Sequence, residues 1–135
     1  MLQISEKIGH EKRRFWNNYQ HFMKRGYSQM FIKKRHPRGT PCYGKCPDLI
    51  VDGVWYEHEG FSGEKPQRSF RNMCYHGLKQ CDRLILEDCG LTFGYMYRSI
   101  LGRLDRNEKI KEVWTHSEQE MRLLYKAEWC DVPWR

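Results

Sequence analysis

The sequence has no apolar run approaching the roughly 18 residues that cross a bilayer, so no membrane-spanning helix is expected. Its opening residues, Met1-Leu2-Gln3-Ile4-Ser5-Glu6-Lys7, lack the apolar core of a secretory signal. Together these absences imply a protein made and kept in the cytoplasm. There is no internal repeat, linker or low-complexity segment. Acids are outnumbered, 17 against 24 Lys and Arg, and the resulting charge of +7 points to a polyanionic partner such as nucleic acid. The six cysteines, at positions 42, 46, 74, 81, 89 and 130, would stay reduced in the cytoplasm. Cys42 and Cys46 have tolerable zinc spacing, with His36 and His58 as conceivable partners. No second Cys/His pair follows closely, so zinc is not expected and the cysteines read as thiols.

What is present suits one folded domain. The 135 residues can bury a real core, and the 14% aromatic content argues against disorder. The organising stretch runs from Pro47 to Gly60. Pro47-Asp48 opens a short apolar run, Leu49-Ile50-Val51. Asp52-Gly53 is the pair that most favours a two-residue hairpin turn. Val54-Trp55-Tyr56-Glu57-His58-Glu59 then reads as the returning strand. Side chains two apart share a strand face, so Trp55, Glu57 and Glu59 face one way and Val54, Tyr56 and His58 the other. Two adjacent carboxylates near a third, Asp48, repel one another, and a cation, a shared proton or solvent must relieve them. A functional acidic site and a solvated strand edge are both consistent with that pattern.

Around this hairpin the chain alternates between the two periodicities. Residues 3–25 carry an apolar stripe at helical spacing, Ile4, Ile8, Phe15, Tyr19, Phe22 and Met23, ending at Gly26. A short strand is expected near 29–33, followed by the basic loop Lys33–Gly39. Pro66 suits the first turn of a helix over 66–81, with Phe70, Met73, Cys74, Leu78 and Cys81 as its apolar face. Arg68, Arg71, Tyr75 and Lys79 share another face of that helix. Such a basic, aromatic-bearing stripe can contact a phosphate backbone or stack a base, or can simply be solvated. A buried strand over 83–87, a helix over 93–106 with Phe93, Met96, Tyr97, Ile100, Leu101 and Leu104 inward, and a terminal hairpin of 110–115 and 121–126 complete the order. The expected fold is α+β: a single domain with a mixed central β-sheet containing hairpins, packed by two to three helices. It divides into the N-terminal helix 3–25, a core of 26–126 and a tail of 127–135.

This order, with Pro-Asp on one strand and acid-x-acid on the next, resembles the core of PD-(D/E)xK nucleases. It is more similar still to small bacterial toxin nucleases, the tRNase domains at the C-termini of contact-dependent inhibition proteins and their mobile-element relatives. Some of these relatives are placed in the barnase/EndoU/colicin/RelE-like class instead. The pieces that carry the resemblance are Pro47-Asp48, Asp52-Gly53, Trp55-Tyr56-Glu57, Leu78-Lys79-Gln80, Leu84-Ile85-Leu86, Arg103-Leu104, Ile110-Lys111-Glu112-Val113-Trp114 and Tyr125-Lys126, spanning about residues 26–126. One departure stands out: Glu59 occupies the position where the family has Lys.

The resemblance implies a metal-assisted nuclease from a bacterial toxin or mobile-element family. Asp48, Glu57 and Glu59 would hold Mg²⁺ or Mn²⁺ through hard oxygen ligands, and the metal would activate water. Lys79 and Gln80 would orient the scissile phosphate or the water, while Arg68, Arg71, Arg103 and Arg106 neutralise neighbouring phosphates. RNA, with tRNA as the family's example, is the implied substrate, and an immunity protein is the implied partner. A carboxylate at position 59 cannot supply the positive charge the family's Lys gives. Three outcomes are open. Lys79 reaches in from its helix, Glu59 becomes an extra metal ligand, or cleavage is lost and a catalytically inactive nucleic-acid-binding or regulatory protein remains. A metal-independent mechanism using His, Lys and Arg, as in the barnase-like class, is the further alternative.

Overall fold

The computed structural model describes residues 2–4, 12–32, 49–61, 63 and 65–127. Among these residues seven strands lie side by side in chain order: β1 Leu2–Ile4, β2 Met30–Ile32, β3 Leu49–Val51, β4 Val54–Glu59, β5 Arg83–Glu87, β6 Glu112–His116 and β7 Met121–Lys126. Three helices accompany them, α1 Lys12–Lys24, α2 Pro66–Leu78 and α3 Phe93–Asp105. The sheet is mixed. β1 runs parallel to β2, β2 to β4 alternate, β4, β5 and β6 are mutually parallel, and β7 turns back antiparallel. The expected α+β architecture is therefore observed.

The parallel trio determines where the helices go. From β4 through α2 to β5, and from β5 through α3 to β6, the chain advances one strand in the same direction. Such crossovers share one hand, so α2 and α3 cover the same face. The packing shows it: Phe70, Met73 and Cys74 of α2 and Met96 and Ile100 of α3 bury Leu84, Leu86, Val113 and Leu124. On the opposite face, Phe22 of α1 packs into Val54, Tyr56, Ile85, Trp114 and Met121.

The Asp52-Gly53 turn forms as its chemistry dictates. Both residues have positive φ, 46° and 81°, the geometry that matches the twist of a two-residue hairpin. The Asp52 carboxylate also accepts the backbone N–H groups of Ser28, at 2.9 Å, and Gln29, at 2.7 Å. The turn is thereby fastened to the chain entering β2.

Two expectations need correction. The N-terminal helix does not begin at residue 3: Leu2–Ile4 is a strand pairing with Met30–Ile32, and α1 starts at Lys12. Leu-Gln-Ile alternates with period two, and the open edge of β2 offers backbone partners, so tertiary pairing overrides the helical spacing of Ile4 and Ile8. Within α3, the packing row is Met96, Ile100 and Arg103. Phe93, Tyr97 and Leu101, one stripe over at spacing four, are exposed, and Phe93 and Tyr97 stack on each other. Residues 128–135 of the expected tail lie outside the described residues.

Close packing of α2 on the sheet depends on Gly77. A Cβ there would stand 2.8 Å from Leu84 Cδ2 and 3.1 Å from Glu59 Cγ. Alanine is ordinarily better than glycine in a helix by about 1 kcal/mol. Here the overpacking cost of roughly 1–3 kcal/mol should outweigh that gain. Gly77→Ala should lower the urea midpoint, and Gly77→Val should lower it further. A stabilised Gly77→Ala variant would show that α2 has room to move away.

Candidate functional site

Strand β4 divides its chemistry between the two faces of the sheet. On the α2 side lie Glu57, which is buried, and Glu59, which is half-buried. The last turn of α2 and the residues after it lie against them. Gly77 approaches Glu59, and the Cys81 thiol donates to the Trp55 carbonyl at 3.2 Å. Burial, then the Asp82 and Glu57 carboxylates, pushes the Cys81 thiol up to about 11. The segment carrying Lys79 and Gln80 is thus brought to the acidic strand. Asp48 lies outside the described residues. Its chain neighbour Leu49 pairs with Tyr56, the residue before Glu57.

The basic residues separate into two kinds. Arg68, Arg71, Tyr75 and Lys79 are exposed along α2, as their spacing implies. The Lys79 ammonium sits 4.1 Å from the centre of the Tyr75 ring. Arg106 is exposed at the end of α3. Arg103 is different. It is buried, pairs with Glu108 at 3.1 Å and donates to the Arg71 carbonyl at 3.1 Å. Its guanidinium joins α3 to α2, so its charge is taken up inside the fold.

On the α1 side, the parallel strands end in a polar cluster. His58 near the end of β4, Glu87 at the end of β5 and His116 at the end of β6 meet there. His58 Nε2 lies 2.6 Å from Glu87 Oε1, and His116 Nδ1 lies 3.2 Å from the same oxygen. Helix α1 covers them: Asn18 Nδ2 is 2.6 Å from His58 Nδ1, and His21 stands edge-on to His116 with ring centres 5.4 Å apart. His58 and His116 are each 2% exposed. Burial alone would raise the Glu87 pKa, but hydrogen bonds from His116 and His58 outweigh it and hold the carboxyl at about 2. Burial, then the neighbouring His116, lowers the pKa of His21.

A second buried carboxylate lies deeper on the same face. Glu112 Oε2 accepts from the Tyr56 hydroxyl at 2.7 Å and from Trp114 Nε1 at 2.5 Å, and Oε1 faces Arg83 at 3.7 Å. Burial and the Glu112 charge raise the Tyr56 pKa, so the hydroxyl stays a donor.

Strand alternation correctly turns His58 away from Glu57 and Glu59, but its meeting with Glu87 and His116 was not foreseen. The sequence reading ends one strand at 115, just before His116, and another at Glu87. The available signal was topological: each residue lies at or next to the end of one of three parallel strands, where open α/β sheets gather their polar groups. Asn18 and His21 fall on the inward face of α1, three residues apart.

No family model and no curated protein matches the chain. Among solved structures, it is similar to a chain of the CdiA-CT/CdiI toxin and immunity complex from Burkholderia pseudomallei, with a TM-score of 0.57 and 11% identity over 93% of this chain and 99% of that one. The two chains share a fold. Among the described residues, no helix is long and apolar enough to cross a membrane.

The Glu87 cluster has a pH signature. Because its folded pKa, about 2, lies below the ordinary 4.5, Glu87 contributes stability above pH 4.5 that is lost as pH falls towards 2. Glu87→Gln should therefore be less stable at neutral pH, by about 1–3 kcal/mol for weakened charge-assisted hydrogen bonds. It should also lose stability less steeply than wild type across that acid range. Parallel acid-unfolding curves for the two proteins would refute the assignment.

Proposed function

We propose that this chain is a toxin-related, metal-assisted nuclease that hydrolyses phosphodiester bonds in RNA, acting in the cytoplasm and held in check by an immunity partner. The observation that carries the reading is the packing of the end of α2 on β4. It brings the Lys79-Gln80 segment to the strand face bearing Glu57 and Glu59. The shared fold with a chain of a toxin–immunity complex supports the toxin-related part.

In this reading Asp48, Glu57 and Glu59 form the hard oxygen set that suits Mg²⁺ or Mn²⁺. The metal, when bound, supplies an activated water and Lewis acidity toward the phosphoryl oxygen. Glu57, buried between the sheet and α2, keeps its carboxylate oriented. Glu59, in place of the family's Lys, adds a ligand rather than a cation. Gln80 positions the phosphate, and the exposed Arg68, Arg71 and Arg106 neutralise its neighbours. Arg103 holds α2 and α3 in register beneath them.

A second reading has an observation of its own. The Lys79 ammonium rests over Tyr75 on the helix surface, which favours a role in holding nucleic acid over one beside the acidic strand. The chain would then bind RNA without cutting it.

Two measurements decide. Incubation with total RNA, tRNA and plasmid DNA, with and without Mn²⁺, should show metal-dependent cleavage of RNA that Glu57→Gln abolishes while binding persists. Binding without cleavage selects the second reading, and neither activity defeats both. Affinity should fall with salt, and replacing Arg68 and Arg71 by Ala should flatten the log–log slope by roughly 0.7–0.9 per lost phosphate contact. An unchanged slope would remove the α2 stripe from the interface.

A further inference from the structure

We propose that His58, Glu87 and His116 form a binding site for a zinc-class divalent ion beneath α1, on the face of the sheet opposite Glu57 and Glu59. One ligand atom from each residue falls in a group whose members all lie within 4.8 Å of one another. Two imidazoles and a carboxylate are a ligand set that suits zinc and leaves a further coordination position. Nitrogen donors favour such ions over Mg²⁺. Bond lengths of about 2.0–2.2 Å place tetrahedral donors somewhat over 3 Å apart. His116 Nδ1 and Glu87 Oε1 already stand at 3.2 Å, whereas His58 Nε2 and Glu87 Oε1, joined by a hydrogen bond at 2.6 Å, need to part slightly.

A further observation points to a ligand: the Asn18 side chain. With Nδ2 on His58 Nδ1, its Oδ1 is buried without a partner. Rotating the amide by half a turn lets Oδ1 accept a proton on Nδ1, which frees the Nε2 lone pair for a metal. The proton formerly on Nε2 moves to Nδ1, and the Nε2–Glu87 hydrogen bond is exchanged for two metal bonds, one from Nε2 and one from Glu87. Outer partners of this kind fix the tautomer and orientation of a ligating imidazole. Glu87, whose side chain is 24% exposed, gives the route from solvent. Because Asn18 lies on α1, the ion would clamp that helix to three strands.

The test uses the full chain with Zn²⁺, Co²⁺ or Mg²⁺ alone. Wild type should retain a single Zn²⁺ after dialysis, melt at a higher temperature with Zn²⁺ than with Mg²⁺, and show Zn²⁺-induced changes in the imidazole NMR signals of His58 and His116 while those of the exposed His76 stay put. Its Co²⁺ form should show visible absorption without thiolate charge-transfer bands. Glu87→Gln and His116→Asn should lose Zn²⁺ retention, and Asn18→Ala should weaken affinity about 10- to 100-fold. Glu57→Gln, and Ser at both Cys42 and Cys46, should bind Zn²⁺ as wild type does. This result stands independently of nuclease activity. Unmoved His58 and His116 signals in wild type overturn the proposal even if the variants fail to fold. Thiolate bands, or loss of Zn²⁺ in the Glu57 or the cysteine variant, also overturn it by placing the ion elsewhere.

Discussion

Two carboxylates under α1 constrain the rest of the structure. Glu112 and Glu87 sit on the α1 face of the sheet, on neighbouring strands, where an unpaired charge would cost several kcal/mol. Each is matched by groups from different strands. Glu112 is held by Tyr56 on β4, Trp114 on its own strand and Arg83 on β5. Glu87 is held by His58 on β4 and His116 on β6. These bonds require β4, β5 and β6 to keep one register, because a slip of one residue would carry every partner to the opposite face.

The other face is built on different physics. Beneath α2 and α3 the core is almost wholly apolar, with Leu84, Leu86, Val113 and Leu124 against Phe70, Met73 and Ile100. Polar groups appear at its margins, where Arg103 ties the helices to each other and Glu57 sits at the end of α2. Apolar packing tolerates small adjustments, whereas hydrogen-bonded charges do not. The α1 face therefore sets register, while both faces bury an apolar cluster.

The sequence made the elements legible where local signals agreed. Asp52-Gly53 announced its turn, Pro66 the start of α2, and the apolar repeats the faces of α2 and α3. Leu2–Ile4 was misread because three residues carry too little periodicity to choose between strand and helix, and its partner β2 lies far along the chain. On the acidic strand, alternation sorted Glu57 and Glu59 from His58, yet no local pattern shows that the ends of three strands meet. That knowledge needs the strand order 4-5-6, which follows from two successive crossovers and not from any single motif. Arg103 illustrates the same limit. It lies on the row of Met96 and Ile100, a place that residue type alone would not assign to an arginine, and Glu108 and the Arg71 carbonyl take up its guanidinium there.

Strand β4 is where these constraints converge. Its side chains alternate between an oxygen-rich pair, Glu57 and Glu59, and the imidazole of His58, so hard and borderline-soft ligands stand back to back on one backbone. The separation persists only while β4 keeps its register. Three features hold it: the Asp52-Gly53 turn fastened to Ser28 and Gln29, the Tyr56 hydroxyl on Glu112, and Gly77, which lets α2 approach Glu59. A bulge in β4 would turn His58 toward α2 and a carboxylate toward the Glu87 cluster, where two like charges would meet in the interior. The electrostatic penalty for that exchange adds to the turn in protecting the register, and so ties the acidic face to the cluster behind it.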